Sequence, residues 1–244
     1  MIDTATTSAP ASTPRRVLVW DAPVRVFHWL LAASFIGAWL TAESERWMLV
    51  HITLGYTVGG LVAFRVLWGL LGTRHARFGD FVRGPRAVVG YLKSLFGAGT
   101  AEQPVGHNPA GAWAILGLLG GSALIVASGW ATYSELGGDW LGELHEGAAS
   151  AVLALVFVHV AGVIVSSRLH HQNLVRSMVD GRKRGRPEDG IRHAWRSLAA
   201  LMVVAVLGFW SWQWTQVPAP GSLAAQWQSD RHGRGHDGGH DDDD

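Results

Sequence analysis

HEGAASAVLALVFVHVAG, running from His145 to Gly162, is almost wholly apolar, yet it opens on His-Glu and carries His159 in its middle. A run of this kind has the length to cross a bilayer, which takes about 20 residues of helix. An ionisable side chain in the middle of a membrane span is functional by default, because it is costly there without a partner. Fourteen residues separate the two histidines. On an α-helix that is about 21 Å of rise and about four turns less 40°, so both rings share one face. One imidazole therefore lies near one membrane surface and the other lies deeper, toward the opposite side.

Four further apolar runs flank this one, and the five spans are predicted at residues 24–42, 48–71, 110–132, 147–167 and 194–214. The 244-residue chain is 48% hydrophobic and only 16% charged, too apolar for an ordinary soluble domain. Several of its 13 tryptophans gather at span ends, including Trp210, Trp212 and Trp214, as an interfacial belt requires. In "GHNPAGAW", Asn108 suits a helix N-cap and Pro109 the first turn. "GPRAVVGYLKSLF", residues 84–96, has apolar residues at helical spacing and is expected to lie along the membrane surface. There is no cysteine, which excludes disulfides, iron–sulfur clusters, thiolate zinc sites and covalently attached haem. Any redox chemistry must use a non-covalent cofactor.

The net charge of +1 hides a strong alternation. Arginine and lysine crowd the N-terminal lead, the two-to-three connection and the four-to-five connection. The one-to-two turn holds Glu43, Glu45 and Arg46, and the three-to-four connection holds Glu135, Asp139, Glu143 and Glu146. Positive-inside asymmetry predicts a cytoplasmic N-terminus and an outside C-terminus.

Histidines on the other spans match the two on span four in depth. His51 opens span two on the outer side, and His28 lies just inside span one on the cytoplasmic side. Four histidines thus sort into an outer pair, His51 with His145, and an inner pair, His28 with His159. Arg65, fourteen residues past His51, reaches roughly the depth of the inner pair. A guanidinium there needs an anion, and a haem propionate accepts two parallel hydrogen bonds from it. Arg25, one turn before His28, is a second propionate candidate. The plainer alternative for Arg65 is snorkelling toward headgroups. His75, His107, His170, His171 and His193 read as ordinary loop or edge residues.

Two imidazoles per level are too few for zinc, which normally takes four ligands or three plus water. No Asp or Glu lies in the central part of any span. A facing pair instead suits the two axial positions of a porphyrin iron, and Gly37, Gly55, Gly59, Gly60 and Gly162 leave room for a flat macrocycle. Filling both axial positions favours electron transfer over oxygen activation. A proton or metal path through the same histidines remains the alternative.

The pattern "VWDAPVRVFHWLLAASF", "HITLGYTVGGLVAFRVLWGLLG", "GHNPAGAW" and "LHEGAASAVLALVFVHVAG" resembles the bacterial cytochrome b561 family, related to the cytochrome b subunits of membrane-bound nickel–iron hydrogenases. The resemblance covers roughly residues 17–170. It implies a four-helix bundle holding two b haems, with His28, His51, His145 and His159 as axial ligands, and electron exchange with quinone such as ubiquinone. The expected architecture is an all-α integral membrane protein, with a four-helix haem-binding bundle and a fifth C-terminal transmembrane helix that packs outside it. Its divisions are a disordered lead (1–19), a dihaem domain (20–171), a basic cytoplasmic loop (172–193), the fifth helix (194–216) and a disordered His/Asp-rich tail (217–244).

The expected function is electron transfer across the bacterial cytoplasmic membrane, between the quinone pool and a periplasmic or membrane redox partner such as a c-type cytochrome or reductase. Alternatives are a haem-bearing membrane anchor of a hydrogenase-like or reductase complex and a self-sufficient superoxide–quinone oxidoreductase. The acidic outer residues suit a basic partner and disfavour an anionic reductant. From another class comes a metal-handling protein using tail His232, His236 and His240, which recur every four residues. A homodimer is left open, and no nucleic-acid partner is expected.

Overall fold

Asp21 starts the first helix: its Oδ1 accepts the Val24 amide at 2.8 Å, and Pro23 sits in the first turn. A computed structural model describes residues 15–96 and 105–216. The lead before residue 15 and the tail from residue 217, with His232, His236 and His240, lie outside the described residues. Helix α1 is Ala22–Thr41, and a short 3-10 turn, Glu45–Trp47, leads into α2, Met48–Leu71. Two short helices follow, α3 at Phe78–Phe81 and α4 at Pro85–Phe96. Then come α5, Pro109–Tyr133, and α6, Trp140–Leu169. Helix α7, Leu174–Asp180, precedes α8, Arg196–Thr215.

Among the described residues, five helices are long and apolar enough to cross a membrane: α1, the 3-10 turn with α2, α5, α6 and α8. Large apolar side chains stand on their outer faces, among them Leu40, Phe157 and Val204. In water that surface would be unfavourable at about 25 cal/mol per Å², whereas in lipid it costs nothing. The chain is an all-α, multi-pass membrane protein.

The first four long helices pack in sequence, α1 on α2, α2 on α5 and α5 on α6. Phe27, Val58, Leu61, Val62, Leu119 and Met202 form the main buried cluster. Small residues permit the close approaches, as membrane helices require without a hydrophobic force between them. A Cβ on Gly37 would stand 2.7 Å from Leu54 Cδ1, and one on Gly59 would stand 2.9 Å from Val126 Cγ1. These two glycines, expected to make room for a macrocycle, instead let helices touch. Gly55, Gly60 and Gly162 do face open space.

Helix α6 begins at Trp140, seven residues before the apolar run expected at 147, so Glu143 and Glu146 are helical residues and not part of a loop. The turn before it uses left-handed backbone at Glu135, Gly137 and Gly138. Hydropathy marks only where a helix becomes apolar; the turn marks where it starts. Asn108 caps α5 as expected, its Oδ1 accepting the Gly111 amide at 2.6 Å.

The arginine-rich end of the bundle holds more order than the sequence implies. Strand β1, Arg15–Leu18, pairs antiparallel with β2, Arg182–Gly185, placing Arg15 opposite Gly185. Residues 15–19 of the expected disordered lead are therefore built into a ribbon, and the connection 172–193 is folded against them. Gly181, left-handed at φ 78, offers its carbonyl to the amides of Val19 and Trp20. A Cβ there would meet Trp20 O at 2.6 Å, so glycine is required both by φ and by approach. Strands of only four residues, rich in arginine and lysine, carry little hydropathy signal, which is why the ribbon escapes a sequence reading.

Contacts divide the chain after Met202, within α8. Residues before that point belong with the bundle: Trp195 packs edge-on against Trp68 with ring centres 5.4 Å apart. The remainder of α8 is a regular helix with Phe209 and Trp212 one turn apart, ring centres 6.2 Å.

Candidate functional site

The four intramembrane histidines come together in the two pairs the spacing predicts. His51 on α2 and His145 on α6 have ring centres 6.1 Å apart, their planes inclined by 73°. His28 on α1 and His159 on α6 have ring centres 6.5 Å apart, inclined by 53°. Because α6 runs unbroken from Trp140 to Leu169, its two histidines keep one face through about 21 Å.

Hydrogen bonding fixes the tautomer of the first pair. His51 Nδ1 lies 2.9 Å from Ala38 O, and His145 Nδ1 lies 2.9 Å from Ile125 O. Carbonyl oxygens only accept, so each Nδ1 carries the proton and donates it, leaving Nε2 with a free lone pair. This is how a protein orients an imidazole for metal ligation. Gly129 on α5 gives the His145 ring its place, since a Cβ there would stand 2.7 Å from Cε1. In the second pair, His28 Nδ1 is buried without a partner among the described residues, and Trp29 packs edge-on to the ring at 5.0 Å.

Two imidazoles on opposite faces of one metal, with bonds of about 2 Å, have ring centres roughly 6–6.5 Å apart. Both pairs have that spacing. Helix α6 is not among the close backbone neighbours of α1 or α2, so the histidine levels span a gap between helices. Among the described residues, no group of three or more His, Asp or Glu is placed to hold a bare metal ion. The donor sets fit a porphyrin iron and do not fit zinc.

Arg65 is 2% exposed, and its Nη1 has no partner among the described residues. It does not snorkel. Its guanidinium stands over Phe78 at 4.9 Å and Phe81 at 5.9 Å. Gly69, one turn on, makes this possible, because any Cβ there would strike the Phe78 ring. Arg25 departs from expectation. Its Nη1 donates to Val179 O at the end of α7 and its Nε to Asp21 O at 3.3 Å, so it braces the ribbon and is not aimed at the histidines. A helix C-terminus is a favourable site for a cation, and that outcompetes an inward rotamer.

His107, an ordinary loop residue by sequence, is a site residue the sequence reading missed. Its ring centre lies 4.4 Å from those of both Trp20 and Phe81, and its Nδ1 is buried without a partner among the described residues. Burial pushes its imidazole down to about 3, with Arg65, Lys183, His75 and His159 adding to the effect, so it is neutral at pH 7. Lys183 lies nearby, its Nζ donating to Gly106 O at 3.2 Å and standing 5.9 Å from the Trp20 ring. The only sequence hint of this pocket was the N-cap motif that begins beside His107.

A family model of prokaryotic cytochrome b561 matches residues 19–181, two thirds of the chain and all of the histidine-bearing helices. The chain belongs to the prokaryotic cytochrome b561 family. As a b-type cytochrome of the membrane it binds haem b and transfers electrons. It is 26% identical to the probable Ni/Fe-hydrogenase B-type cytochrome subunit of Azotobacter vinelandii, over 68% of this chain and 87% of that one. The corresponding subunit of Bradyrhizobium diazoefficiens is 25% identical over 75% and 94%. The probable Ni/Fe-hydrogenase 1 B-type cytochrome subunit of Escherichia coli K12 is 27% identical over 48% and 60%. No solved structure matches the chain.

Proposed function

We propose that this cytochrome b561 carries two b haems, one at each histidine level, and passes electrons across the bacterial cytoplasmic membrane between the quinone pool and a redox enzyme. The observation that carries the reading is the facing of His51 with His145 and of His28 with His159 at ring separations of 6.1 and 6.5 Å. When bound, haem supplies an iron that changes valence by one electron. The chain's own part is to hold each ring in place, exclude water with apolar helices and set the two levels about 21 Å apart along α6. The Nδ1 donations from His51 and His145 make those rings stronger ligands. Arg65 provides a cation for a propionate. The basic end faces the cytoplasm, following the arginine distribution.

The relatives' names favour a hydrogenase or hydrogenase-like enzyme as the electron donor, since the match extends over 87% and 94% of two such subunits. Helix α8 carries no histidine and supplies no axial ligand in this reading. The deciding experiment is a dithionite-reduced minus oxidised spectrum of the purified full chain, with haem quantified per polypeptide. Two haems per chain are expected. Colourless protein from haem-replete cells would refute the reading, and a single haem would refute its dihaem form.

A further inference from the structure

We propose that Arg65 and His107 form a two-donor carboxylate seat at the basic end of the bundle, which takes a propionate of the haem held by His28 and His159. The inference rests on the dihaem reading and adds to it a residue, His107, that lies on no membrane helix.

The two donors come from distant parts of the chain and share one wall. Phe81 packs on both, its ring 5.9 Å from the Arg65 guanidinium carbon and 4.4 Å from the His107 ring centre. Each presents a buried nitrogen without a partner among the described residues, Nη1 of Arg65 and Nδ1 of His107. Arg65 is in no ion pair among the described residues. The nearby carboxylate of Asp21 lends Arg65 a favourable charge through space, but its oxygens accept from Val24 N, Trp68 Nε1 at 3.0 Å and Thr73 Oγ1 at 2.6 Å and none bonds to Nη1. A guanidinium so withdrawn from water calls for an acceptor in direct contact with Nη1, and cation–π contact with Phe78 and Phe81 offsets only part of the need.

Depth selects the haem propionate. Asp21 is level with Trp68, to which it is hydrogen-bonded. His28 lies seven residues inward of Asp21 and Arg65 three residues inward of Trp68. Arg65 is therefore about 6 Å nearer the basic end than His28, within reach of a substituent on a porphyrin rim. The ribbon closes the seat from outside. Trp20 covers His107, and the Lys183 bond to Gly106 O holds the backbone beside it. A carboxylate arriving from within the bundle meets two donors, whereas one from solution must pass the ribbon.

The test uses purified full-length Arg65→Gln and His107→Gln beside the parent chain, with haem content and redox titration of each spectral component. Arg65→Gln is expected to weaken retention of one haem by roughly tenfold or more on detergent dialysis, as charge-assisted bonds are the stronger class. Any haem retained at that level should have a lower midpoint potential, because a lost cation favours the ferric state. His107→Gln should affect the same component in the same direction, less strongly. The component held by His51 and His145 should be unmoved, which also reports that the variants fold. Parent potentials should not respond to added phosphate at constant ionic strength; a response abolished by Arg65→Gln would assign the seat to a free anion and overturn the proposal. Two retained haems with unmoved potentials in both variants would overturn it while leaving the dihaem reading intact. Parent protein lacking two haems would fail the dihaem reading itself.

Discussion

His51 and His145 face each other across two helices with ring centres 6.1 Å apart, and each gives its Nδ1 proton to a backbone carbonyl of a third segment. Ala38 and Ile125 lie on α1 and α5, so four helices are tied into one level. If both rings serve one iron, removing either should have the same consequence as removing both. His51→Ala, His145→Ala and their double variant are expected to lose the same spectral component and the same haem equivalent. His51→Ala combined with His28→Ala should lose both. Residues acting as a unit are strongly non-additive. Difference spectra with haem quantification decide it, and additive partial losses within a level would break the pairing.

Gly129 offers a subtler test of the same level. Its missing Cβ is the space that the His145 ring fills, with Cε1 at 2.7 Å and Nδ1 at 2.8 Å from where that carbon would be. Gly129→Ala raises helix propensity by about 1 kcal/mol. It should nonetheless turn the ring off its bond to Ile125 O and weaken haem retention at this level severalfold. Gly120→Ala on the same helix meets nothing within 4 Å and should be silent. Haem per chain after detergent washing separates the two. Equal retention in both variants would show that the glycine is not what seats the ring.

The legible part of this molecule was the part governed by period and hydropathy. Span positions came within a few residues for α1, α2, α5 and α8, and the histidine pairs follow from a fourteen-residue interval on a regular helix. Arg65 was visible as a buried cation because a charge stands out against apolar neighbours. Arg25 was misread for a physical reason: its proper partner, the last carbonyls of α7, lies over 150 residues away in the chain. His107 was invisible on the same ground, since its burial depends on Trp20, Phe81 and the ribbon folding over it. The roles of Gly37 and Gly59 required knowing which helices touch. Local patterns announce helices and facing histidines; long-range closure of polar ends does not announce itself in short segments.

That closure has a measurable electrostatic cost at Lys183. The side chain is buried within the ribbon, and burial pulls its ammonium down to about 8 from an ordinary value of 10.5. The charged form is the one penalised by desolvation. Below pH 8 both folded and unfolded chains carry the proton, and the folded chain bears the full penalty. Between pH 8 and 10.5 the unfolded chain binds more protons than the folded one, so stability gains with rising pH. Above 10.5 both are neutral at this site and the penalty is gone. Lys183→Met removes the charge, and a buried charge replaced by an apolar residue of similar volume is often neutral or stabilising. The stability difference between the variant and the parent, followed through their thermal midpoints, should therefore favour the variant most at pH 7, by on the order of 1–3 kcal/mol after loss of the bond to Gly106 O. It should shrink steadily from pH 8 to 10.5. Subtracting the two curves cancels other groups that titrate in that range, and tryptophan fluorescence during heating in detergent supplies the readout. A constant difference across this window would mean that Lys183 keeps its proton, so that the ribbon does not desolvate it.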